Sequence, residues 1–408
     1  MTGIAEFLDR ERPRQEAFLA ELVRTPSDNP PGDCAPHAER AATLLEGLGF
    51  AVERHPVPAD LARAHGMVSA TNLVVRHRFA TEGPVIALNA HGDVVPPGEG
   101  WTHDPYGADV ADGWMYGRGV AVSKSDFATY AWALLALKSL GQRLRGAVEL
   151  HFTCDEEAGG EIGPALLLRE GIARPDLAIG AGFSYSVVTA HNGCLHLEVQ
   201  VDGRSAHAAM PATGVDALEA ATAILAALYR WRAGLAARRS AIPGIGSPQL
   251  TVGLIKGGIN TNVVPDRVTF RLDRRIVPEE SADAAEAELR RIVAEVATGF
   301  PQARVAVRRI LRAAPLTPLP GGQRLTETLI AEATRVMGRK VAATGVPLYT
   351  DARHYAAAGV PVVLYGAGPR SIEEANAHRA DERLPLADLR KATEVVARTL
   401  ARLLGAGD

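Results

Sequence analysis

Residues 84–93 read PVIALNAHGD, an apolar run that ends in a histidine, a glycine and an aspartate. A short continuous run of this kind is typical of a buried strand. Side chains two residues apart point to the same side of a strand, so we expect His91 and Asp93 to project together where the strand meets its loop. A second apolar run, residues 147–153, ends shortly before Glu156 and Glu157. In open α/β sheets, functional groups collect at such strand ends.

This combination of residues predicts a metal hydrolase. A histidine that binds a metal usually donates its other ring N–H to a carboxylate or carbonyl, and Asp93 is placed to accept that bond from His91. Two adjacent carboxylates can divide their roles, because one can bind metal while the other takes a proton from water. Glu156 and Glu157 offer that division of roles.

Composition narrows the class of protein. The chain has 408 residues, which favours two domains, and a formal net charge of -3 gives no basic surface for nucleic acid or anionic lipid. Residues 1–14 contain no apolar core for a signal peptide or a spanning helix, so we expect a cytoplasmic protein with no membrane partner. The cysteines Cys34, Cys154 and Cys194 are few and far apart, and we expect them to be buried, reduced thiols.

The order of helical and strand patterns predicts an α/β fold. A catalytic domain, residues 1–192 and 313–408, is expected to hold a mostly parallel sheet flanked by helices, and residues 193–312 to form an inserted α+β lid and dimerisation domain. The predicted helices are residues 16–23, 38–48, 132–137, 216–228, 282–297, 325–336 and 386–404. The predicted strands are residues 71–76, 85–90, 147–153, 195–201, 249–256, 267–273 and 361–365. A Pro-rich stretch, residues 313–320, is expected to be the return linker.

A series of motifs runs along nearly the whole chain. They are HGDVVP at 91–96, WTHDP at 101–105, DGWMYGRG at 112–119, EE at 156–157 with glycines after it, GRSAHA at 203–208, NVVP at 262–265, DRR at 273–275 and AHRADE at 377–382. In this order, the series resembles the zinc aminoacylase and carboxypeptidase G superfamily. That superfamily includes acetylornithine deacetylase, succinyl-diaminopimelate desuccinylase and carnosinase-type dipeptidases.

The resemblance implies a role for each motif. The implied metal ligands are His91, Glu157 and His378. The implied catalytic residues are Glu156 as general base, Asp93 as the group that orients His91, and His207 as the group that polarises the scissile carbonyl. The implied substrate-binding residues are Asn262 and Arg275. The family often supplies the lid histidine from the other subunit, so the resemblance also implies a homodimer through the lid domain. It further implies a small-molecule amide substrate that carries a carboxylate.

The chain departs from the family pattern at two metal ligands. Where the family has an aspartate that bridges two metal ions, this chain has Val122, and the residues around it stay in register. Where the family has a Gly-Glu-Pro sequence, this chain has Ala181 between Gly180 and Gly182. The usual dinuclear site therefore lacks two of its carboxylates.

These losses favour one ion over two. Two divalent ions held close together need several anionic ligands to offset their repulsion. His91, Glu157 and His378 can instead hold one ion, with a fourth position left for water, and two histidines with one glutamate are a common catalytic zinc set. Zinc is the expected ion, with cobalt and manganese as alternatives. Two other outcomes stay open: Asp126 replaces the missing carboxylate and holds a second ion, or the site is empty.

The leading functional hypothesis is a metal-dependent amidohydrolase that acts on an N-acyl or N-carbamoyl amino acid or a dipeptide-like amide. One alternative keeps the fold without hydrolysis, as a carboxylate-binding protein. A second alternative is an enzyme of another reaction type on the same scaffold, because a fold alone does not fix a function.

Overall fold

A computed structural model describes residues 2–141, 143–368 and 370–405. Its strands are β1 (Val52–Pro56), β2 (Thr71–Arg78), β3 (Val85–His91), β4 (Val110–Ala111), β5 (Trp114–Tyr116), β6 (Ala147–Thr153), β7 (Leu177–Gly180), β8 (Val187–His191), β9 (Gly193–Asp202), β10 (Gln249–Gly257), β11 (Arg267–Ile276), β12 (Arg304–Ala313), β13 (Ala343–Val346), β14 (Val362–Leu364) and β15 (Arg383–Pro385).

The helices are α1 (Thr2–Val23), α2 (Ala35–Gly47), α3 (Ala59–Ala64), α4 (Lys124–Ser139), α5 (Pro164–Arg169), α6 (Ala217–Ala233), α7 (Ala282–Ala297), α8 (Gln323–Met337), α9 (Ala352–Ala357), α10 (Ile372–Ala375) and α11 (Leu386–Leu404). None of the helices in the described residues is both long and apolar enough to cross a membrane.

The chain divides into two compact units. The first contains Met1–Thr189, Pro318–Thr344 and Thr350–Asp408, and the second contains Ala190–Thr317 and Gly345–Tyr349. The segment 345–349 lies far along the chain from the rest of the second unit, and no sequence pattern pointed to it.

The first unit is built on an eight-stranded sheet with the order β1-β2-β6-β3-β7-β14-β8-β13. Its central strands pair in parallel, β3 with β6 and β7, and β7 with β14, whereas β1, β2 and β8 pair antiparallel to their neighbours. Helices α1, α4, α8 and α11 pack against one another, and their apolar side chains share one core with the strands. This arrangement confirms the predicted α/β fold with helices beside a mostly parallel sheet.

Burial explains why the central strands were easy to predict. All seven residues of β6 are buried, and so are six of the seven in β3, because parallel strands are covered on both faces. Helix α4 is apolar nearly all round for the same reason: most of its residues are buried, including Asp126 in its first turn.

The second unit has a four-stranded antiparallel sheet with the order β10-β11-β9-β12. Helices α6 and α7 pack on one face, where Leu195, Leu197 and Phe270 are buried. Strand β12 was not predicted from the sequence. Its run of arginines hides the strand pattern, and Arg308 and Arg309 pair with Glu198 and Glu286 instead of contributing apolar surface.

Candidate active site

The ends of three parallel strands bring the predicted site residues of the first unit together. In the register of the sheet, His91 at the end of β3 lies opposite Thr153 at the end of β6, and Asn89 lies opposite Gly180 at the end of β7. The loops that follow these strands carry Asp93, Glu156 and Glu157. The carboxyl edge of the sheet is where open α/β sheets place their ligands.

The carboxylate of Asp93 organises this edge. It is fully buried and accepts hydrogen bonds from the Asn29 side chain at 3.0 Å, from the Glu156 backbone N–H at 3.2 Å and from the Glu157 backbone N–H at 3.1 Å. Nδ1 of His91 lies 3.3 Å from Asp93 Oδ1 and 3.0 Å from the Asp93 carbonyl oxygen. Since Nδ1 is directed at Asp93, the other ring nitrogen of His91 is left to bind a ligand.

Nearby carboxylates dominate the electrostatics of His91 and Glu156. Burial alone would lower the pKa of His91, but the hydrogen bond to Asp93 and the charges of Glu156 and Glu157 raise it well above its usual value. Burial raises the pKa of Glu156 to about 7, and the charges of Glu157 and Asp93 raise it in the same direction. The neighbouring carboxylates thus raise the pKa of both groups.

His378 lies beside Glu157. Its Nε2 is 3.2 Å from Glu157 Oε1, and half of the His378 side chain is exposed. The carboxylate of Glu157 raises the pKa of His378 above its usual value. The loop that carries His378 is strained, because Asn376, His378 and Asp381 all have positive φ angles near 50–60°.

Two acidic residues of the same motif, for which no role was predicted, hold this loop in place. Asp381 accepts hydrogen bonds from the backbone N–H groups of Thr102 and His103 at 2.9 and 3.2 Å and from the Thr102 hydroxyl at 2.9 Å. Glu382 is fully buried and pairs with Arg118 at 2.7 Å. The motifs at 101–105, 112–119 and 377–382 are thus joined to one another by hydrogen bonds.

Glu382 also fixes the position of Val122. Its Oε1 accepts the backbone N–H groups of Ala121 and Val122, both at 3.1 Å. The next residue, Ser123, exchanges two hydrogen bonds of 3.1 Å with the backbone of His91. Val122 therefore directly precedes a residue bound to the His91 backbone, and its side chain brings no charge to that place.

Ala181 and Asp126 meet at the end of β7. The backbone N–H of Ala181 donates to Asn89, and the N–H of Gly182 donates to Asp126 Oδ2 at 3.1 Å. Oδ1 of Asp126 accepts the N–H of Ala367 at 2.6 Å. Burial raises the pKa of Asp126 to about 7, although both backbone hydrogen bonds lower it. Both oxygens of Asp126 are thus engaged in holding two loops together.

Asp351 is a further buried acid that the sequence analysis missed. Its Oδ2 has no hydrogen-bond partner among the described residues, and burial together with the charges of Glu156 and Asp155 raises its pKa well above the usual value. Gly160 approaches so closely that a Cβ atom at that position would collide with the Asp351 carboxylate. The stretch TDAR at 350–353 carries no local signal for a site, because only the fold places Asp351 near Glu156 and Asp155.

In the second unit, the motifs of His207 and Asn262 pair with each other. His207 forms a bridge with Val263, and the Ala208 N–H donates to the Asn262 carbonyl at 2.9 Å. The Ala209 N–H donates to Nδ1 of His207 at 3.1 Å, so Nδ1 is an acceptor and Nε2 carries the proton. His207 and Asn262 are both exposed.

Arg275 lies at the opposite end of strand β11. Arg267, at the His207 end, is opposite Asp202, whereas Arg275 is opposite Cys194. The eight residue steps between Arg267 and Arg275 correspond to about 26 Å along the strand. Within one chain, Arg275 is therefore not brought to Asn262 and His207.

The family model for peptidase family M20/M25/M40 matches residues 87–402, a range that includes every predicted site residue. The chain belongs to this family. It is 30% identical to a succinyl-diaminopimelate desuccinylase of Gluconacetobacter diazotrophicus, with 94% of this chain and 96% of the relative covered. It is 29% identical to an acetylornithine deacetylase of Proteus mirabilis, with 87% and 86% covered. This protein is accordingly a hydrolase of amide bonds.

A solved M20 structure has the same fold. A dinuclear metal binding peptidase of Bacillus subtilis superposes with a TM-score of 0.68 at 17% identity, covering 97% of this chain and 99% of that chain. Members of the M20 family depend on metal, and the resemblance inferred from the motifs is confirmed.

The residues of this chain fit a metal ion by their charge and donor chemistry. Imidazole and carboxylate donors are typical zinc ligands, and the unpaired Asp351 oxygen adds to a concentration of buried negative charge that a cation would offset. Glu157 and His378 are already in contact. The donor atoms of His91, Glu157 and His378 do not all lie within 4.8 Å of one another. Among the described residues, only Cys194, His196 and Asp273 have donor atoms that do.

Asp126 should make stability depend on pH in the metal-free protein. The pKa of Asp126 is about 7 in the folded chain, and its usual value of about 3.8 applies to the unfolded chain. Between these two pH values, only the folded state therefore holds the proton. Unfolding free energy should therefore fall as pH rises from about 4 to about 7, by at most about 1.4 kcal/mol per pH unit from this residue. Denaturant unfolding with chelator should show a shallower pH slope for Asp126→Asn than for the parent chain.

Above about pH 8 the two stability curves should run parallel, because Asp126 is then ionised in both states. Identical slopes between pH 4 and 7 would contradict the raised pKa.

Proposed function

We propose that this M20 hydrolase cleaves an N-acyl or N-carbamoyl amino acid, or a dipeptide-like amide, with one divalent ion instead of two. The observation that carries the proposal is the composition of the carboxyl edge: Asp93, Glu156, Glu157 and His91 are present, while Val122 and Ala181 supply no carboxylate. The acids that remain are enough for one ion and its base. They are too few to offset the repulsion of two ions held close together.

His91, Glu157 and His378 would hold the ion. When bound there, a zinc, cobalt or manganese ion supplies Lewis acidity, which lowers the pKa of water and polarises a carbonyl oxygen. Asp93 orients His91 through the contact at Nδ1. The same carboxylate accepts the backbone N–H groups of Glu156 and Glu157, so one buried group positions both the ligands and the base.

Glu156 would move the protons. Its carboxylate takes a proton from the water that attacks the amide carbon, and it returns that proton to the nitrogen that leaves. Glu156 is suited to this because its own side chain takes no part in the hydrogen bonds of Asp93, which involve only its backbone. An N-acyl substrate and one water give a free carboxylic acid and an amine. An N-carbamoyl substrate and one water give the amine and carbamic acid, which breaks down to carbon dioxide and ammonia, so no other reactant is needed.

His207, Asn262 and Arg275 would recognise the substrate. The Nε2–H group of His207 would donate to the oxygen of the scissile carbonyl, which becomes negatively charged during attack. Arg275 would bind the substrate carboxylate through its guanidinium fork. Asn262 would contribute a second contact to that carboxylate.

A homodimer is the arrangement that agrees with these roles. Because Arg275 and the pair His207 and Asn262 occupy opposite ends of β11, one small substrate can meet all three only if two copies contribute. The edge strand β10 exposes Leu254 and Ile255, which are apolar side chains suited to such a contact. Dimerisation through the second unit stays a prediction.

Glu156→Gln should separate catalysis from binding. The amide keeps the shape of the side chain but cannot accept a proton, so kcat should fall by about 10² to 10⁴, while KM changes little. The assay is hydrolysis of a panel of N-acetyl, N-succinyl and N-carbamoyl amino acids by the metal-loaded enzyme. Glu170→Gln, an exposed position at the end of α5, is the matched control and should leave kcat unchanged. Full activity of Glu156→Gln would remove this residue from the mechanism.

Val122→Asp should restore a second metal position. The new carboxylate would lie next to the His91 backbone contact of Ser123, where the family has its bridging aspartate. Metal analysis after dialysis against zinc should show about one more ion per chain than the parent protein holds. Val122→Asn has the same shape without the charge and should show no gain. An unchanged metal content in Val122→Asp would argue against Val122 as the reason for a single ion.

A further inference from the structure

The second unit carries a cluster of three chemically different donors on two adjacent strands. Cys194 and His196 lie two residues apart on β9, so their side chains share one face of the sheet. In the register, Asp273 of β11 is directly opposite His196. The face is the one opposite the helices, because the alternate residues Leu195 and Leu197 belong to the core that α6 and α7 cover.

The donor atoms of this cluster converge. Sγ of Cys194 is 3.1 Å from Nε2 of His196, which in turn is 3.2 Å from Oδ2 of Asp273. Sγ of Cys194 is 3.8 Å from Oδ1 of Asp273. Ligand atoms around a tetrahedral zinc ion, with bond lengths of about 2.0 to 2.3 Å, are about 3.3 to 3.5 Å apart. The Cys194–His196 separation and the separation of Cys194 from Oδ1 of Asp273 are within about half an ångström of those values, while His196 meets Asp273 through its other oxygen, Oδ2.

Burial and charge also suit a metal ion. Cys194 is buried, whereas His196 and Asp273 are each about one third exposed, so solvent reaches one side of the cluster. Burial raises the pKa of Asp273, but the hydrogen bond from His196 and the charge of Arg275 outweigh it and lower the pKa. Arg275 approaches Oδ2 of Asp273 at 3.1 Å, so Oδ1 is the oxygen that faces the thiol.

We propose that Cys194, His196 and Asp273 bind a zinc ion at a site separate from His91, Glu157 and His378. Among the described residues, this is the only cluster whose donor atoms all lie within 4.8 Å of one another. Thiolate, imidazole and carboxylate together favour zinc over magnesium or calcium, which prefer oxygen ligands alone. Three protein ligands leave the fourth position on the exposed side for water.

A cysteine, a histidine and an aspartate in contact could also form a catalytic triad, with Cys194 as the nucleophile. A nucleophilic thiol must reach its substrate, and reactive cysteines are partially exposed. Cys194 is fully buried within a strand. A metal ligand needs no such access, because the ion approaches from the side of His196 and Asp273.

Cobalt substitution tests this site apart from the proposed catalytic site. The metal-free, full-length protein is titrated with cobalt(II), and the sulfur-to-cobalt charge-transfer band in the near ultraviolet is recorded. The ligands of the proposed catalytic site contain no sulfur, so the band reports a cysteine ligand. We expect the band to saturate by two equivalents in the parent protein, because the proposed catalytic site also takes one ion, and by one equivalent in His91→Ala. Addition of zinc should abolish the band in both.

The variants identify the ligands. Cys194→Ser should abolish the band, while Cys34→Ser and Cys154→Ser, at the other two buried cysteines, should retain it. Asp273→Asn keeps the shape of a partly exposed side chain, so it removes the carboxylate ligand without disturbing the core. This variant should bind cobalt at least about tenfold more weakly. Absence of the band in the parent protein, its survival in Cys194→Ser, or unchanged affinity in Asp273→Asn would overturn the proposal.

Discussion

The buried carboxylate of Asp93 is the interaction on which the candidate active site depends. It contacts the His91 ring, the Asn29 side chain and the backbone of Glu156 and Glu157, and thus joins the ends of two parallel strands to the N-terminal part of the chain. A buried carboxylate is stable only when its oxygens accept hydrogen bonds. Asp93 meets that need with groups of the catalytic loops, so the fold of the loops and the order of the site have one cause.

The remaining acids create an imbalance of charge that the side chains alone do not resolve. Glu156, Asp155 and Asp351 all have a raised pKa, because each is buried and because other carboxylates lie nearby: Asp93 for Glu156 and Asp155, and both of these residues for Asp351. A bound cation would offset this repulsion. Val122 and Ala181 supply no carboxylate to this edge of the sheet, which is why we propose one ion and not two.

The sequence predicted the parts of the molecule in which local pattern and burial agree. The runs that became β3 and β6 are apolar because both faces of a parallel sheet are covered, and the helices α7 and α11 begin and end at the predicted residues. Strand β12 was missed because its arginines pair with Glu198 on the neighbouring strand β9 and with Glu286 on helix α7, and such long-range pairs leave no local signal. Asp351 was missed for a similar reason, since only the folded chain places it near Glu156 and Asp155. The motifs identified His91, Asp93 and Glu157 as site residues. They did not predict that Arg275 and Asn262 lie far apart along β11, because that separation follows from the register of the sheet.

The number of metal ions at the carboxyl edge of the sheet can be counted directly. The measurement is metal content per chain, by mass spectrometry, of Cys194→Ser purified without chelator, since this variant lacks the thiolate of the second proposed site. Our account predicts about one ion per chain, and its loss when His91→Ala is added. Two ions per chain, or none after zinc has been supplied, would contradict it.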